Sequence, residues 1–473
     1  MPMLLLLPEL TLCLMALTLF FCTLGPCRPA VLQGLVTALS LLCLLAAVAA
    51  IGAEGRLFFD AYRVDLFSQL FKIMLTLGLF ITVRSGPDLR GIEAKLRPEY
   101  CLFLAIATLG MVLLSSAYEL LTLLMSLEIA AFALFVIIPF RHLTRQRVHM
   151  EAAIKYLLFG VTTTGVLLYG MSYLFGFGHS THLGELARTL PPLLGNERLA
   201  LVGLVMLLCG FFYKLGLFPM HFLTPDVYQG SANETAAFIA TLPKVAVVAA
   251  IIRLVSLAGP EAGRLTWILA VFAVLSMSVG NLCALVQNDL KRLLAYSSIA
   301  HAGYLMIGVL TVNRLGLTAA IYYMFGYLLM NLACFFVIYQ LSPRGENLTF
   351  EDLRGLHRSS PLLAATLAAS AFGLTGIPPT IGFTGKFLVF TAALQRGFYA
   401  LVILAVINSA ISAFYYLKMV RAAYRPATTD EAKLVLASTE TFLALFFLAA
   451  IILCGILPQG FIALAKEAVA GLP

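Results

Sequence analysis

Five lysines, Lys72, Lys155, Lys214, Lys244 and Lys386, fall inside long apolar runs, while the arginines sit in the polar stretches between them. An ionisable residue held in hydrocarbon is costly and marks an ion pathway or a proton relay. Lysine suits that work because burial readily moves it between charged and neutral forms, whereas arginine stays charged. Glu128 is the acid that falls well inside an apolar run. A carboxylate and an ammonium about 4 Å apart, at an effective dielectric near 20, interact by about 4 kcal/mol, enough to move a proton equilibrium by orders of magnitude. His221, seven residues after Lys214, and His301, in Ser297-Ser-Ile-Ala-His301-Ala-Gly-Tyr304, could pass a proton between such groups. Each has a plainer reading. Lys155 follows Glu151 by four residues, the spacing of a surface ion pair on a helix. A lone helical histidine is often only a hydrogen-bonded packing residue, and Lys72 has no other signal around it.

These residues need a membrane-spanning frame. The chain has 473 residues, 61% hydrophobic and 11% charged, with a mean hydropathy of +0.97. Soluble domains carry about 25% charged residues, so a soluble enzyme, a disordered regulator and a secreted disulfide scaffold are excluded. A spanning helix needs about 20 apolar residues. Apolar stretches bounded by charge, Pro or Gly predict an all-α membrane protein of about fourteen transmembrane helices: 3–24, 30–51, 64–83, 100–117, 120–140, 152–177, 199–222, 235–257, 265–286, 293–312, 315–341, 362–394, 398–420 and 441–464. The first reads as a retained helix, since no basic segment or small-residue cleavage site accompanies it. The net charge of +8 sits in short loops, which points to orientation and anionic lipid and away from nucleic acid. Loops after odd-numbered helices hold most of the Lys and Arg. Both termini are therefore expected on the non-cytoplasmic side of a bacterial inner membrane. The nine cysteines are scattered, with no C-x-x-C, so no metal or redox centre is expected in this chain.

Two helices carry interruptions. The seventh reads Lys214-Leu-Gly216-Leu-Phe-Pro219-Met-His221 and the twelfth reads Gly373-Leu-Thr-Gly376-Ile-Pro378-Pro379-Thr-Ile-Gly382-Phe-Thr-Gly385-Lys386. Pro and Gly free backbone groups that only protein or water can satisfy inside a membrane. Pro219 and Pro379 are 160 residues apart. This spacing predicts two five-helix units, helices 4–8 and 9–13, inverted relative to each other, with a site near the midplane. The expected organisation is a three-helix segment (1–97), two repeats (98–258 and 259–422) and a final helix (423–473).

With these pieces in order, the sequence resembles the antiporter-like membrane subunits of complex I and its relatives. The resemblance rests on Leu127-Glu128, Phe-Pro219-Met-His221, Thr224-Pro225-Asp226-Val-Tyr228, Pro243-Lys244, Tyr296-Ser-Ser-Ile-Ala-His301, and Gly382-Phe-Thr-Gly385-Lys386. Within the family it is most similar to the N-type branch of the bacterial enzymes. The resemblance implies that Glu128 pairs with Lys214, that Lys244 is a central lysine and Lys386 a terminal one, and that His221, His301 and Lys155 connect them. It also implies a proton-translocating subunit of a respiratory NADH:quinone oxidoreductase. FMN, iron–sulfur clusters and quinone would belong to partner subunits: a peripheral redox arm, an antiporter-like M subunit and small membrane subunits. One departure is Gln229-Gly-Ser231-Ala-Asn-Glu234, where the family often has Glu-Gly-Ala-Pro. That stretch is expected to form a loop outside the proton axis. The alternatives are a subunit of a multi-subunit cation/proton antiporter, a related complex with another electron donor, a stand-alone solute transporter and a purely structural subunit.

Overall fold

The computed structural model describes residues 2–25, 27–141, 146–259, 263–426 and 434–472. The expected loop charges Arg145 and Lys433 lie outside the described residues. Helices dominate, and we number them along the chain: α1 Leu7–Thr23, α2 Pro29–Ala49, α3 Leu66–Ser85, α4 Arg97–Ser116, α5 Leu120–Ile137, α6 Gln146–Gly178, α7 Leu183–Asn196, α8 Arg198–Leu215 and α9 Thr224–Gly230. They continue with α10 Asn233–Ser256, α11 Gly263–Leu285, α12 Leu290–Val309, α13 Arg314–Leu341, α14 Pro361–Thr375, α15 Ile381–Gln395, α16 Tyr399–Ala423, α17 Ser438–Ile456 and α18 Gln459–Ala470. Among the described residues, 11 helices are long and apolar enough to cross a membrane. The helix 290–309 falls outside that group because Lys291, Arg292, the two serines and His301 dilute its apolar character. It needs no lipid-facing side, since nearly all of it is buried.

Burial sorts the bundle into a centre and a rim. The apolar stretch of α10 is buried throughout and that of α13 almost so, and α12 joins them. On α1, Leu10, Leu14, Leu17 and Phe21 face outward, as a lipid-contacting helix should. The helix carrying Lys244 and the helix carrying His301 are therefore both shielded from lipid.

Close helix packing recurs at two places with the same geometry. A Cβ on Gly110 of α4 would lie 2.6 Å from the backbone nitrogen of Ala130 and 2.9 Å from the Ser126 carbonyl on α5. A Cβ on Gly280 of α11 would lie 2.6 Å from the nitrogen of Ala300 and 2.8 Å from the Tyr296 carbonyl on α12. All three positions are offset by 170 residues. Only glycine lets these backbones come so near.

Several elements differ from the sequence expectations. Residues 224–230 form a helix, because Pro225 fits a first turn and lacks only a donor that would be free there anyway. The expected loop at 229–234 is instead the end of α9 and the start of α10, with Glu234 in the first helical turn. The last predicted span, 441–464, divides at Leu457–Pro458, and α18 begins after the proline. The segment 183–196 is an amphipathic helix that buries Leu183, Leu186, Leu190 and Leu194 at helical spacing. A short hairpin pairs Gly55–Leu57 (β1) with Tyr62–Val64 (β2). Arg253 and Lys291 lie within α10 and α12, not in the polar stretches between helices, and are buried at 1% and 0% exposure.

Candidate functional site: a buried line of lysines

The two interruptions have a common construction. Leu215 ends α8 and Gly216 caps it in the left-handed conformation at φ 76°, with Leu217 N–H donating to the Phe212 carbonyl at 2.9 Å. Thr375 ends α14 and Gly376 caps it at φ 89°, with Ile377 N–H donating to the Phe372 carbonyl at 2.9 Å. These are Schellman-type ends, which glycine adopts without steric penalty. Cis peptide bonds follow at Phe218–Pro219 and Pro378–Pro379.

Each left-handed glycine lies against a lysine. A Cβ on Gly216 would be 3.8 Å from Lys244 Nζ, and one on Gly376 would be 2.9 Å from Lys386 Cδ. The second break supplies ligands directly. Lys386 Nζ donates to the Leu374 carbonyl at 3.1 Å, the Thr375 carbonyl at 2.8 Å and Ser409 Oγ at 2.9 Å. The two carbonyls belong to the last turn of α14, where no intrahelical partner exists for them. Gly382 has its own packing reason, since any Cβ there would collide with the Gly373 carbonyl.

Between the breaks runs a polar path. Lys244 Nζ donates to Ser298 Oγ at 2.8 Å, and Tyr228 hydroxyl approaches the same oxygen at 3.4 Å. Lys244, Ser298, His301, Tyr323 and Tyr327 surround a small cavity of about 10 Å³. His301 is 3% exposed; its Nδ1 meets Tyr323 hydroxyl, and its Nε2 lies 3.1 Å from Tyr416 hydroxyl. Tyr416 in turn bonds Ser297. His301 is within electrostatic reach of both Lys244 and Lys386. Lys386 lies 4.6 Å from the centre of the Tyr304 ring, whose centroid is 5.8 Å from that of His301.

Toward the other end, Lys214 and Lys244 both line a cavity of about 20 Å³, room for one water. Lys214 Nζ has no hydrogen-bond partner among the described residues. It rests over the rings of Phe135, Tyr156 and Tyr213 at 5.0, 5.1 and 5.3 Å, a cation–π cage. The expected contact between Glu128 and Lys214 is not made. Glu128 Oε1 accepts from Thr164 Oγ1 at 2.7 Å instead, and its charge reaches Lys214 through space.

Two predicted members stand apart from the line. Lys155 pairs with Glu151 at 2.6 Å and Asp226 at 3.3 Å and is 39% exposed, a rim position. His221 is half-buried and stacks on Phe218 with centroids 5.4 Å apart. Sequence reasoning missed the tyrosines 156, 213, 228, 323, 327 and 416. Tyr228 lies in a motif already singled out, but nothing in the pattern says that α9 turns it toward Lys244. It also missed a polar lock at one end of the bundle. Arg292 bonds Asp226 at 2.8 Å and Gln229 at 3.0 Å, while Arg141 donates to the Gln229 carbonyl at 2.6 Å, the Gly345 carbonyl at 3.1 Å and Asn347 at 2.6 Å. This lock fixes α9 against α12 and the 342–350 segment. No three His, Cys, Asp or Glu side chains gather as a metal-ligand set among the described residues.

A helical bundle with two glycine–proline breaks, each set against a buried lysine, defines an antiporter-like membrane subunit. Residues 117–412 match the family model described as NADH:quinone oxidoreductase/Mrp antiporter, TM. The chain belongs to that family and, within it, to the NADH-quinone oxidoreductase subunit N group. It is 46% identical over 455 residues to NADH-quinone oxidoreductase subunit N 2 of Opitutus terrae, covering 96% of this chain and 95% of that protein. A chain of respiratory complex I from Thermus thermophilus superimposes with a TM-score of 0.84 at 33% identity, covering 97% of this chain and 99% of that one. A chain of the Mrp complex from Dietzia shares the fold, with a TM-score of 0.87 at 19% identity over 99% of this chain and 97% of that one.

Proposed function

We propose that this chain translocates protons as the N subunit of a bacterial NADH:quinone oxidoreductase, with redox chemistry left to partner subunits that carry FMN, iron–sulfur clusters and quinone. Those partners are a peripheral redox arm, an M-type antiporter-like subunit and small membrane subunits. The observation that carries the reading is the buried run Lys244–Ser298–His301–Lys386, continued toward Lys214 by a water-sized cavity. In the proposed cycle, separation of Glu128 from Lys214 changes how well Lys214 holds its charge. A proton then passes to Lys244, across the His301–tyrosine group, and on to Lys386. Moving one charge against 100 mV takes about 2.3 kcal/mol, within what a charge pair at effective dielectric 20 can supply.

The fold reading that goes with it is fourteen spans in the inner membrane, both termini on the outer side, and two inverted five-helix units at 98–258 and 259–422. The shared 170-residue offset of the glycine contacts and the 160-residue offset of the breaks support the two units. Lys155 and His221 serve the rim, where protons enter from the aqueous side.

Lys214→Ala and Lys244→Ala in the intact complex are expected to abolish most proton pumping and coupled turnover. Donor oxidation by artificial acceptors should continue in both. Normal pumping by both variants would end the proposal. Purification from native membranes gives a second test: flavin and iron–sulfur partners fit it, while antiporter subunits alone would assign the chain to cation/proton exchange.

A further inference from the structure

A second set of buried ionisable groups lies away from the lysine line. Glu9 on α1 is 5% exposed and Lys72 on α3 is 0% exposed. Lys72 Nζ is 2.6 Å from Glu9 Oε1, and the same oxygen accepts from Tyr62 hydroxyl at 2.6 Å. Lys72 also lies 5.3 Å from the centre of the Tyr62 ring. Beside this trio, Arg253 on α10 pairs with Asp65, the N-cap of α3, at 2.8 Å. Asp65 and Arg253 both act electrostatically on Lys72. Arg63 approaches Asp65 at 3.5 Å and donates to Tyr118 hydroxyl at 3.2 Å. Cys13, one helical turn along α1, is also within electrostatic reach of Glu9.

The set is not finished as a packing device would be. Glu9 Oε2, Asp65 Oδ2 and one guanidinium nitrogen of Arg253 have no hydrogen-bond partner among the described residues. Buried polar networks kept only for stability are normally satisfied, and well-packed apolar residues usually do as well as a buried ion pair. The set also has an aqueous approach. An open cleft of about 490 Å³ is walled in part by Arg56, Asp60, Tyr118 and His182. Tyr118 lines that cleft and accepts from Arg63, which in turn approaches Asp65.

We propose that Glu9, Lys72 and Tyr62 form a second proton-exchange site, open to the face of the bundle that carries the β-hairpin and tied through Asp65–Arg253 to the helix that carries Lys244. The exchange is a transfer from Lys72 Nζ to Glu9 Oε1, which breaks an N–H bond, makes an O–H bond and turns an ion pair into an amine and a carboxylic acid. Loss of the carboxylic proton to water in the cleft leaves the set one charge more negative. Arg253, on the same helix as Lys244, feels that change. The site extends the proton-translocation reading but is read out independently of it.

The test is chemical modification of the intact complex in native membranes with dicyclohexylcarbodiimide, which adds to protonated carboxyl groups in apolar surroundings. Peptide mass spectrometry reports modification at Glu9 itself, whether or not the complex pumps. Glu9 is expected to be modified in the unaltered protein. In Lys72→Met, which removes the counter-charge and favours the neutral acid, modification is expected to be about tenfold faster, the equivalent of one unit of proton affinity. Lys72→Gln serves the same purpose should Lys72→Met fail to assemble. Modification only in the Lys72 variant would show a permanently ionised structural pair and overturn the proposal. Modification in neither protein would also overturn it, since an exchanging carboxyl must be reachable from outside the bundle.

Discussion

Gly280→Ala tests whether backbone contact between α11 and α12 sets the position of Ser298 and His301, which the proposed proton path crosses. The added Cβ would sit 2.6 Å from the Ala300 nitrogen, whereas ordinary contacts begin at 3.4 Å. Because the obstacle is backbone and not the tip of a side chain, α12 must withdraw as a body by about 0.8 Å. Ser298 and His301 move with it. A shift of that size, taken along the bond, carries the 2.8 Å contact from Lys244 to Ser298 beyond the reach of hydrogen bonding. A hydrogen bond to a charged group contributes about 1.5–3 kcal/mol, so pumping should slow by about tenfold or more. Overpacking costs about 1–3 kcal/mol, offset in part by the better helix propensity of alanine, about 1 kcal/mol. The fall in thermal stability should therefore be small beside the loss of pumping. The assay is proton uptake by the purified complex in sealed vesicles, paired with a thermal melt. Gly165→Ala is the control, because its Cβ would meet nothing within 4 Å. Unchanged pumping in Gly280→Ala would refute the reasoning.

Other outcomes follow from the same contacts. Gly110→Ala should repeat the Gly280→Ala effect at α4–α5, displacing Glu128, with pumping impaired and donor oxidation by artificial acceptors intact. Arg141→Met leaves the Gly345 carbonyl and Asn347 Oδ1 without their donor and takes one of two donors from the Gln229 carbonyl, which keeps Asn347 Nδ2 at 3.1 Å. It should cost more than about 3 kcal/mol in thermal stability and speed limited proteolysis between residues 342 and 350. Burial disfavours the Asp65 carboxylate, but Arg253 and the Ser68 N–H outweigh that and hold its acid below the usual carboxylate range. A depressed acid contributes stability above its unfolded value near 3.9 and loses it as pH falls through the folded one. Protease resistance of the β-hairpin should thus stay level down to about pH 4 and fall below it. Arg253→Met should shrink that fall, because the guanidinium is the main source of the stability that protonation of Asp65 removes.

The breaks at Gly216 and Gly376 were legible in the sequence because glycine and proline act locally: a left-handed cap and a missing donor depend on the residue itself. Lys244 and Lys386 were legible for a related reason, since a charge in an apolar run is anomalous whatever surrounds it. Arg253 and Glu9 were not, because each stands near the end of an apolar run, where a charge reads as ordinary loop or interface. Only the tertiary packing of α10 against α3 and α4 buries Arg253. The helix at 224–230 was missed because seven polar-rich residues show no apolar period. The absent Glu128–Lys214 contact could not have been foreseen, since Thr164 carries no more signal than any other threonine on α6.

The hosting of the lysines has a directional consequence. An ammonium has three N–H donors. The protein offers Lys386 three acceptors, Lys244 one, and Lys214 only the faces of aromatic rings. By protein acceptors alone, Lys386 is the best-served ammonium position and Lys214 the poorest, where the charge of Glu128 acts through space in place of hydrogen bonds. In the proposed cycle, a proton passed from Lys214 toward Lys386 gains hydrogen bonds along the way, and its release from the carbonyls of α14 is the step that gives them up.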